Sequence, residues 1–330
     1  MKAIDIHAHY APLVVQTAVQ RGESWHGIKP GTPEGNTALG KGSSPITQAR
    51  FDWDIEQRVQ EMDSQGIDMH VLSTFTGYYK FDSDSEASAA CEEVNDEMAR
   101  IVKERPSRFA AFSTLPAQNI KAAIAELERA TRKLGMKGAM VNDTFFGKNF
   151  DEPELFPFWQ AAERLGAIIF VHQGGPTIVS NRINRYYLGN SIGNLVERTI
   201  TFATLVFGGV MDKCPDLKVL LAHSGGYTCF GIGRMDHTWK VRPESRHIPR
   251  PPSAYLNRFY YDCLTQNEHA LRFLIDSVGP DRVLLGTDWP AEMALEWPVS
   301  WIMGLKSLTK EEKESVLSKN AEHLLGLKRG

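Results

Sequence analysis

Two histidines, His7 and His9, stand two residues apart in "IDIHAHY", a run that otherwise reads as a buried strand. A strand projects residues i and i+2 to one face, so both imidazoles aim into one small volume, and two histidines aimed at one point suggest a metal. Further along, His172 closes "AIIFVHQGG", His223 closes "VLLAHSGG", and Asp288 follows an apolar run in "RVLLGTDWP". Any one of these alone reads as a hydrogen-bonded core residue. Five polar residues at the same kind of position, the C-terminal end of a strand-like run, do not. Imidazole and carboxylate without thiolate form a ligand set for Zn²⁺, with Mn²⁺ or Fe²⁺ as competitors. Three or four such ligands leave a position open for water, whose pKa the metal lowers to about 7. His26, His70, His237, His247, His269 and His323 do not share this placement.

These residues need a frame that gathers them. Strand-like apolar runs fall at 3–6, 69–73, 109–114, 139–141, 167–171, 218–221, 259–261 and 283–285. Helical patterns lie between most of them. In "DIEQRVQEMDSQG", Ile55, Val59 and Met62 share one face and Gly66 closes the helix. "EASAACEEVNDEMARIVKERP" is ended by Pro106 and "NIKAAIAELERATRKLG" by Gly135. Strands alternating with helices of this length pair in parallel, and eight such units predict an α/β fold, a closed (β/α)₈ TIM barrel, with all 330 residues in one domain. In such a barrel the strand C-termini surround one pocket, so residues far apart in sequence meet there. Three stretches break the repeat: an irregular insertion after the first strand at about 11–50, and the connections 173–194 and 240–257. If they follow strands one, five and six, they lie at the end where a barrel carries its active site.

Composition narrows the function. A formal net charge of −3 gives no basic field for nucleic acid. No apolar window approaches the roughly 20 residues of a membrane span, and no apolar leader precedes His7. Cys91, Cys214, Cys229 and Cys263 are scattered without framework spacing, as buried thiols of a reducing compartment are. A cytoplasmic enzyme of small-molecule chemistry is expected.

The HxH after strand one, His after strands five and six, and Asp after strand eight resemble the metal-binding pattern of the amidohydrolase superfamily. Within it, the chain is most similar to the branch of α-amino-β-carboxymuconate-ε-semialdehyde decarboxylase and related aromatic acid decarboxylases. The likeness runs through "IDIHAHYAP", "WDIEQRVQEMDSQGIDMHVLST", "ELFPFWQAAERLGAIIFVH", "FGGVMDKCPDLKVLLAHSGG", "GIGRMDH", "DRVLLGTDWP" and "KNAEHLLGL". It implies one divalent metal per chain, Zn²⁺ first and Mn²⁺ as the alternative, held by His7, His9, His172 and Asp288. His223 is then an acid/base partner. Arg234 matches an arginine that holds the substrate carboxylate in a neighbouring subunit, which implies a homodimer. The absence of lysine in "GAMVND" implies a mononuclear site. Two places depart from that branch: His172-Gln173-Gly174-Gly175 replaces His-Pro-Trp-Asp, and Ile46 stands where a second carboxylate-binding arginine is expected, with Arg50 nearby and Arg182, Arg185 and Arg242 in loops.

The resemblance implies a non-oxidative decarboxylase of a small unsaturated or aromatic carboxylic acid. Such an enzyme must make the carbon that carries the carboxylate tetrahedral. Either Asp288, as its acid, protonates that carbon, or hydroxide steered by His223 adds to the double bond. A metal-dependent lactone or amide hydrolase and a hydratase are the alternative reactions for the same ligands. Tyr10, Phe75, Tyr78, Phe145, Phe146 and Trp289 are candidate walls for a flat substrate, and Glu197 is a candidate partner for a ligand histidine.

Overall fold

The computed structural model describes residues 2–29, 45–183 and 185–327. Eight parallel strands are found among them: β1 (Ile4–His9), β2 (Met69–Ser73), β3 (Phe109–Ala111), β4 (Gly138–Val141), β5 (Ile168–Val171), β6 (Lys218–Leu221), β7 (Phe259–Asp262) and β8 (Val283–Leu284). Ladders join β1-β2-β3 and β4-β5-β6-β7-β8 in sequence order. The two sheets meet along two seams. Between β3 and β4, Ser113 N–H donates to Gly138 O at 2.8 Å and Met140 N–H to Ser113 O at 3.0 Å. Between β8 and β1, Ile6 N–H donates to Leu285 O at 2.9 Å and Asp288 N–H to His7 O at 2.9 Å. The strands therefore run round one (β/α)₈ barrel, as the alternating pattern predicts.

The interior is filled by Ile4, Ile6, Met69, Val71, Phe112, Met140, Ile168, Phe170, Leu220 and Leu284, with Leu324 and Leu325 packed in the same cluster. The helices pack outside the strands. α1 (Leu13–Gln20) and α2 (Pro45–Asp52) precede α3 (Ile55–Gln65), α4 (Asp84–Glu104), α5 (Ile120–Arg132), α6 (Phe156–Leu165), α7 (Asn194–Phe207), α8 (Thr228–Val241) and α9 (Glu268–Val278). Local chemistry sets their ends. Asp54 and Gln57 close a capping box at the start of α3, and Gly66 ends it at φ 75°. Ser83 and Asn119 cap α4 and α5.

The expected insertion at 11–50 is less irregular than its composition. Residues 30–44 lie outside the described ones, but both flanks are helical. α1 has no side-chain cap of its own; Glu97 of α4 accepts from Leu13 N–H at 2.8 Å and Val14 N–H at 3.0 Å. No helix of the described residues is long and apolar enough to cross a membrane.

Candidate metal centre

His7, His9, His172 and Asp288 meet at the barrel mouth, buried, with one donor atom each inside a 4.8 Å span. β1 delivers its two histidines with help from an irregularity. Its register against β2 shifts between Asp5 and Ala8, which turns His7 beside Phe170 (ring centroids 4.9 Å) after Ile4 and Ile6 have pointed into the core. His172 follows β5, and Asp288 follows β8 in a left-handed conformation, φ 64°. His223 shares that conformation at φ 52°, and Gly225 and Gly226 continue the turn. Positive φ at non-glycine residues is strain that folded proteins retain mainly at functional sites.

The donors fit a cation. Asp288 Oδ1 lies 3.1 Å from His7 Nε2, 2.9 Å from His9 Nε2 and 3.6 Å from His172 Nε2, and the two Nε2 atoms of His7 and His9 are 3.2 Å apart. Ligands about 2.1 Å from one metal stand about 3.0–3.4 Å apart along tetrahedral or octahedral edges. Both ring nitrogens of His172 and Nδ1 of His223 are buried without a hydrogen-bond partner.

A second layer holds the candidate ligands. His7 Nδ1 is 2.8 Å from Asp262 Oδ2, which leaves Nε2 for the cluster. Asp262 also accepts from the backbone N–H groups of His223 at 2.8 Å and Ser224 at 2.7 Å, so one carboxylate fixes both strand ends. A Cβ on Gly286 would lie 2.7 Å from Asp262 Cβ and 2.9 Å from His7 Cβ, so only glycine lets that pair approach. Ser73 Oγ donates to Ala8 O at 3.3 Å and accepts from His9 Nδ1 at 3.1 Å, fixing the tautomer of His9. His172 is held through backbone: Arg198 donates to Val171 O at 2.7 Å and Tyr78 to His172 O at 2.8 Å.

Electrostatics follow from this packing. Burial pulls His7 down, but the Asp288 and Asp262 carboxylates outweigh it and raise its pKa to about 10. Burial lowers His9 to about 4 and pushes His172 well below the ordinary range. Burial would raise Asp288, but the His7 cation and the other imidazoles hold it well below the usual carboxylate range. One proton, on His7, therefore stands where a cation would.

Of the expected substrate walls, Phe75 lies at the centre, its ring 4.5 Å from that of His9 and 5.4 Å from that of His172. Tyr78 faces the same histidine through its hydroxyl. Tyr10 and Trp289 do not join them. Tyr10 follows His9 by one residue, and alternation along the strand sends it to the opposite face, while the left-handed turn at Asp288 sets Trp289 apart from the cluster. Tyr10 donates to Glu97, and Trp289 packs against Arg58 at 4.2 Å. Phe145 packs with Phe150 and Phe158 in the core, and Phe146 is exposed. Glu197 accepts from Ile178 N–H, holding the loop after β5 instead of a ligand. Arg50 is paired with Glu61 and Glu296, Arg242 with Glu244. Arg234 is exposed on α8, and no described side chain bonds to its guanidinium. Sequence reasoning missed Asp262, whose signal is an acid closing the apolar run "FYYD".

The amidohydrolase family model matches residues 4–327. The chain belongs to this amidohydrolase family. It is 35% identical over 280 residues to the 2-amino-3-carboxymuconate-6-semialdehyde decarboxylase of Dictyostelium discoideum, covering 83% of this chain and 77% of that relative. It is 29% identical over 290 residues to the gamma-resorcylate decarboxylase of a Polaromonas species, covering 83% and 88%. The structure of a dihydroxybenzoic acid decarboxylase from Polaromonas, with bound manganese and 2-nitroresorcinol, superposes with a TM-score of 0.81 at 25% identity, covering 100% of this chain and 98% of that one. The amidohydrolase is thus a metal-dependent carboxy-lyase that releases CO₂ from an aromatic carboxylic acid without oxidation, and the metal is divalent.

Proposed function

We propose that this amidohydrolase decarboxylates a small hydroxylated aromatic or muconate-type acid at one metal held by His7, His9, His172 and Asp288, with Zn²⁺ the first choice and Mn²⁺ the alternative. The observation that carries the reading is the split orientation of Asp288. Its Oδ1 faces the histidine cluster, while Oδ2 lies 3.6 Å from His223 Nε2. When bound, the metal supplies Lewis acidity toward the substrate's carboxylate and a neighbouring oxygen. Asp288 and His223 then hold and move one proton between them. Delivered to the ring carbon, that proton forms a C–H bond; the C–C bond to the carboxylate breaks, its electron pair returns to the ring, and CO₂ leaves. Phe75 presents a flat wall to a planar substrate and keeps water from that carbon.

Arg234 completes the site from a second copy, in a homodimer. Phe230 lies four residues earlier on the same face of α8 and is 86% exposed. With Tyr227 and Phe273 it borders an apolar cavity of about 450 Å³ that reaches His223 and Ser224. An exposed apolar patch of this kind marks an interface. The four buried, unpaired cysteines suit a reducing, cytoplasmic setting.

The test is CO₂ release from hydroxylated benzoic and muconate-type acids by metal-loaded protein; water incorporation without carbon loss would instead favour a hydrolase or hydratase. For the dimer, inactive Arg234→Ala and Asp288→Asn proteins are unfolded together and reassembled. Recovered activity is expected, because one of the two sites in a mixed dimer has both residues. No recovery would place Arg234 outside its partner's site.

A further inference from the structure

Arg58 lies on α3, outside the strands, and is only 3% exposed. Among the described residues it has no carboxylate partner. Nη1 donates to His9 O at 2.8 Å, Nε donates to His70 Nδ1 at 3.2 Å, and the guanidinium carbon sits 4.2 Å from the centre of the Trp289 ring. Burial brings its pKa down to about 9, against Tyr10 and Asp5, which raise it. A buried cation with no carboxylate hydrogen-bonded to it is costly, and an apolar side chain would fill the same volume without that penalty. The guanidinium does what no apolar or ammonium group can: its edge donates while its face stacks.

Two of these three partners, His9 and Trp289, belong to the β1–β8 seam. His9 is a metal ligand, Trp289 follows the ligand Asp288, and His9 N–H donates to Trp289 O at 2.6 Å. The polar contacts continue beyond Arg58. His70 Nε2, which makes no hydrogen bond, lies 3.5 Å from Asp5 Oδ2. Asp5 in turn accepts from His7 N–H at 3.0 Å, Thr287 N–H at 3.1 Å and Thr287 Oγ1 at 2.6 Å. Arg58 thus touches His9 and Trp289 directly, and Asp5, beside His70, ties His7 to Thr287.

We propose that Arg58 is the positioning residue of the metal centre: from outside the barrel it locks the β1–β8 seam and so sets the separation of His7, His9 and Asp288. This rests on the four-residue reading of the centre. A ladder holds β1 against β2, whereas the segment after β8, where Asp288 sits, is joined to β1 by one isolated bridge, Ala8 to Trp289, with the backbone hydrogen bonds Asp288 N–H to His7 O and His9 N–H to Trp289 O. Arg58 spans that joint.

The test uses holoenzymes of the parent, Arg58→Met, Arg58→Lys and a control, Met62→Ala. Met62 is fully buried on the same helix in the apolar cluster outside the seam. Three quantities are read: the rate of metal release to excess chelator, the absorption spectrum of the Co²⁺-substituted protein, and the thermal midpoint. Arg58→Met is expected to release metal 10–100-fold faster, as loss of outer ligand support commonly does, with a changed Co²⁺ spectrum. Arg58→Lys falls between, because lysine reaches a carbonyl but cannot stack. Met62→Ala loses thermal stability while its release rate stays within about twofold of the parent. A folded Arg58→Met with the parent's release rate and spectrum overturns the proposal, as does a Met62→Ala that releases metal equally fast. If Arg58→Met does not fold, Arg58→Lys decides: severalfold faster release supports the role, and an unchanged rate overturns it. A parent chain that holds no divalent metal overturns the reading of the centre itself before any variant is made.

Discussion

Metal binding is expected to expel one proton, and the count follows from the geometry of the histidine cluster. In the metal-free chain His7 carries a proton at neutral pH, because the Asp288 and Asp262 carboxylates raise it to about 10 against the pull of burial. His9, lowered to about 4, and His172, held well below the ordinary range, are already neutral, and Asp288 is already ionised. A cation must therefore displace one proton, from His7, at every pH between about 6 and 9. Across that range log Kd should fall by about one unit per pH unit, and at pH 7.5 the competition weakens binding by about 3 kcal/mol relative to deprotonated His7. Three unperturbed histidines, each near 6.5, would instead release about two protons at pH 6 and almost none at pH 8.5. Calorimetric titration of the stripped protein with Zn²⁺ or Mn²⁺, repeated in buffers of different ionisation enthalpy, gives the count directly. Ionisation of a water on the metal adds a proton mainly above pH 7 and leaves the value near pH 6 unchanged. Asp262→Asn removes the carboxylate from Nδ1 and should lower the release at pH 8.5 below one. A count that falls from two toward zero with rising pH would refute the assignment of the proton to His7.

Three further outcomes follow from the same residues. Asp288→Asn should abolish CO₂ release, by at least about 10³-fold, while the thermal midpoint of the metal-free protein changes little; measurable turnover would remove Asp288 from the proton's path. Gly286→Ala forces a Cβ between His7 and Asp262, so a loss of about 1–3 kcal/mol in unfolding free energy is expected together with weaker metal binding, checked by denaturant titration and chelator competition. Burial holds the Cys229 thiol at about 11 and raises Cys91 and Cys263 as well, so at pH 8 roughly one Cys229 in a thousand is thiolate, and iodoacetamide should label the native chain slowly, about tenfold faster per pH unit. Rapid stoichiometric labelling at pH 8 would contradict that burial.

The sequence showed what is local and hid what is not. The eight strands lie within a few residues of the apolar runs that predict them, because barrel strands are buried on both faces and read as continuous hydrophobic stretches. The cluster of His7, His9, His172 and Asp288 was legible for a related reason: each ends or follows such a run, and the barrel gathers those ends. α1 escaped notice because its cap comes from Glu97, 84 residues beyond Leu13, and no local signal marks its start. Tyr10 follows His9 along the strand and points to the opposite face, and Trp289 follows a left-handed Asp288 and lies on Arg58, neither of which residue type alone reveals. Arg58 stands three residues after Ile55 and four before Met62, on the apolar stripe of its helix, but its partner there is an indole 231 positions away that no local pattern reveals. Asp262 looked like any strand-end acid until His7 was found on it.

The location of the centre also bears on why this barrel holds together. β8 is only two residues long, and the β8–β1 contact is a handful of backbone hydrogen bonds instead of a ladder. At that weak joint, His7 and His9 come from the three-stranded sheet, His172 from the five-stranded one, and Asp288 from the segment between them. A divalent metal on these four donors cross-links both sheets across the seam. Because it binds the folded chain and not the unfolded one, a metal at 100 times its Kd adds about 2.7 kcal/mol to stability. Chelation should therefore lower the cooperative melting temperature, and hydrogen exchange should quicken first at Thr287 and Asp288, not in the β4–β7 ladders, since the seam is where the cross-link is lost.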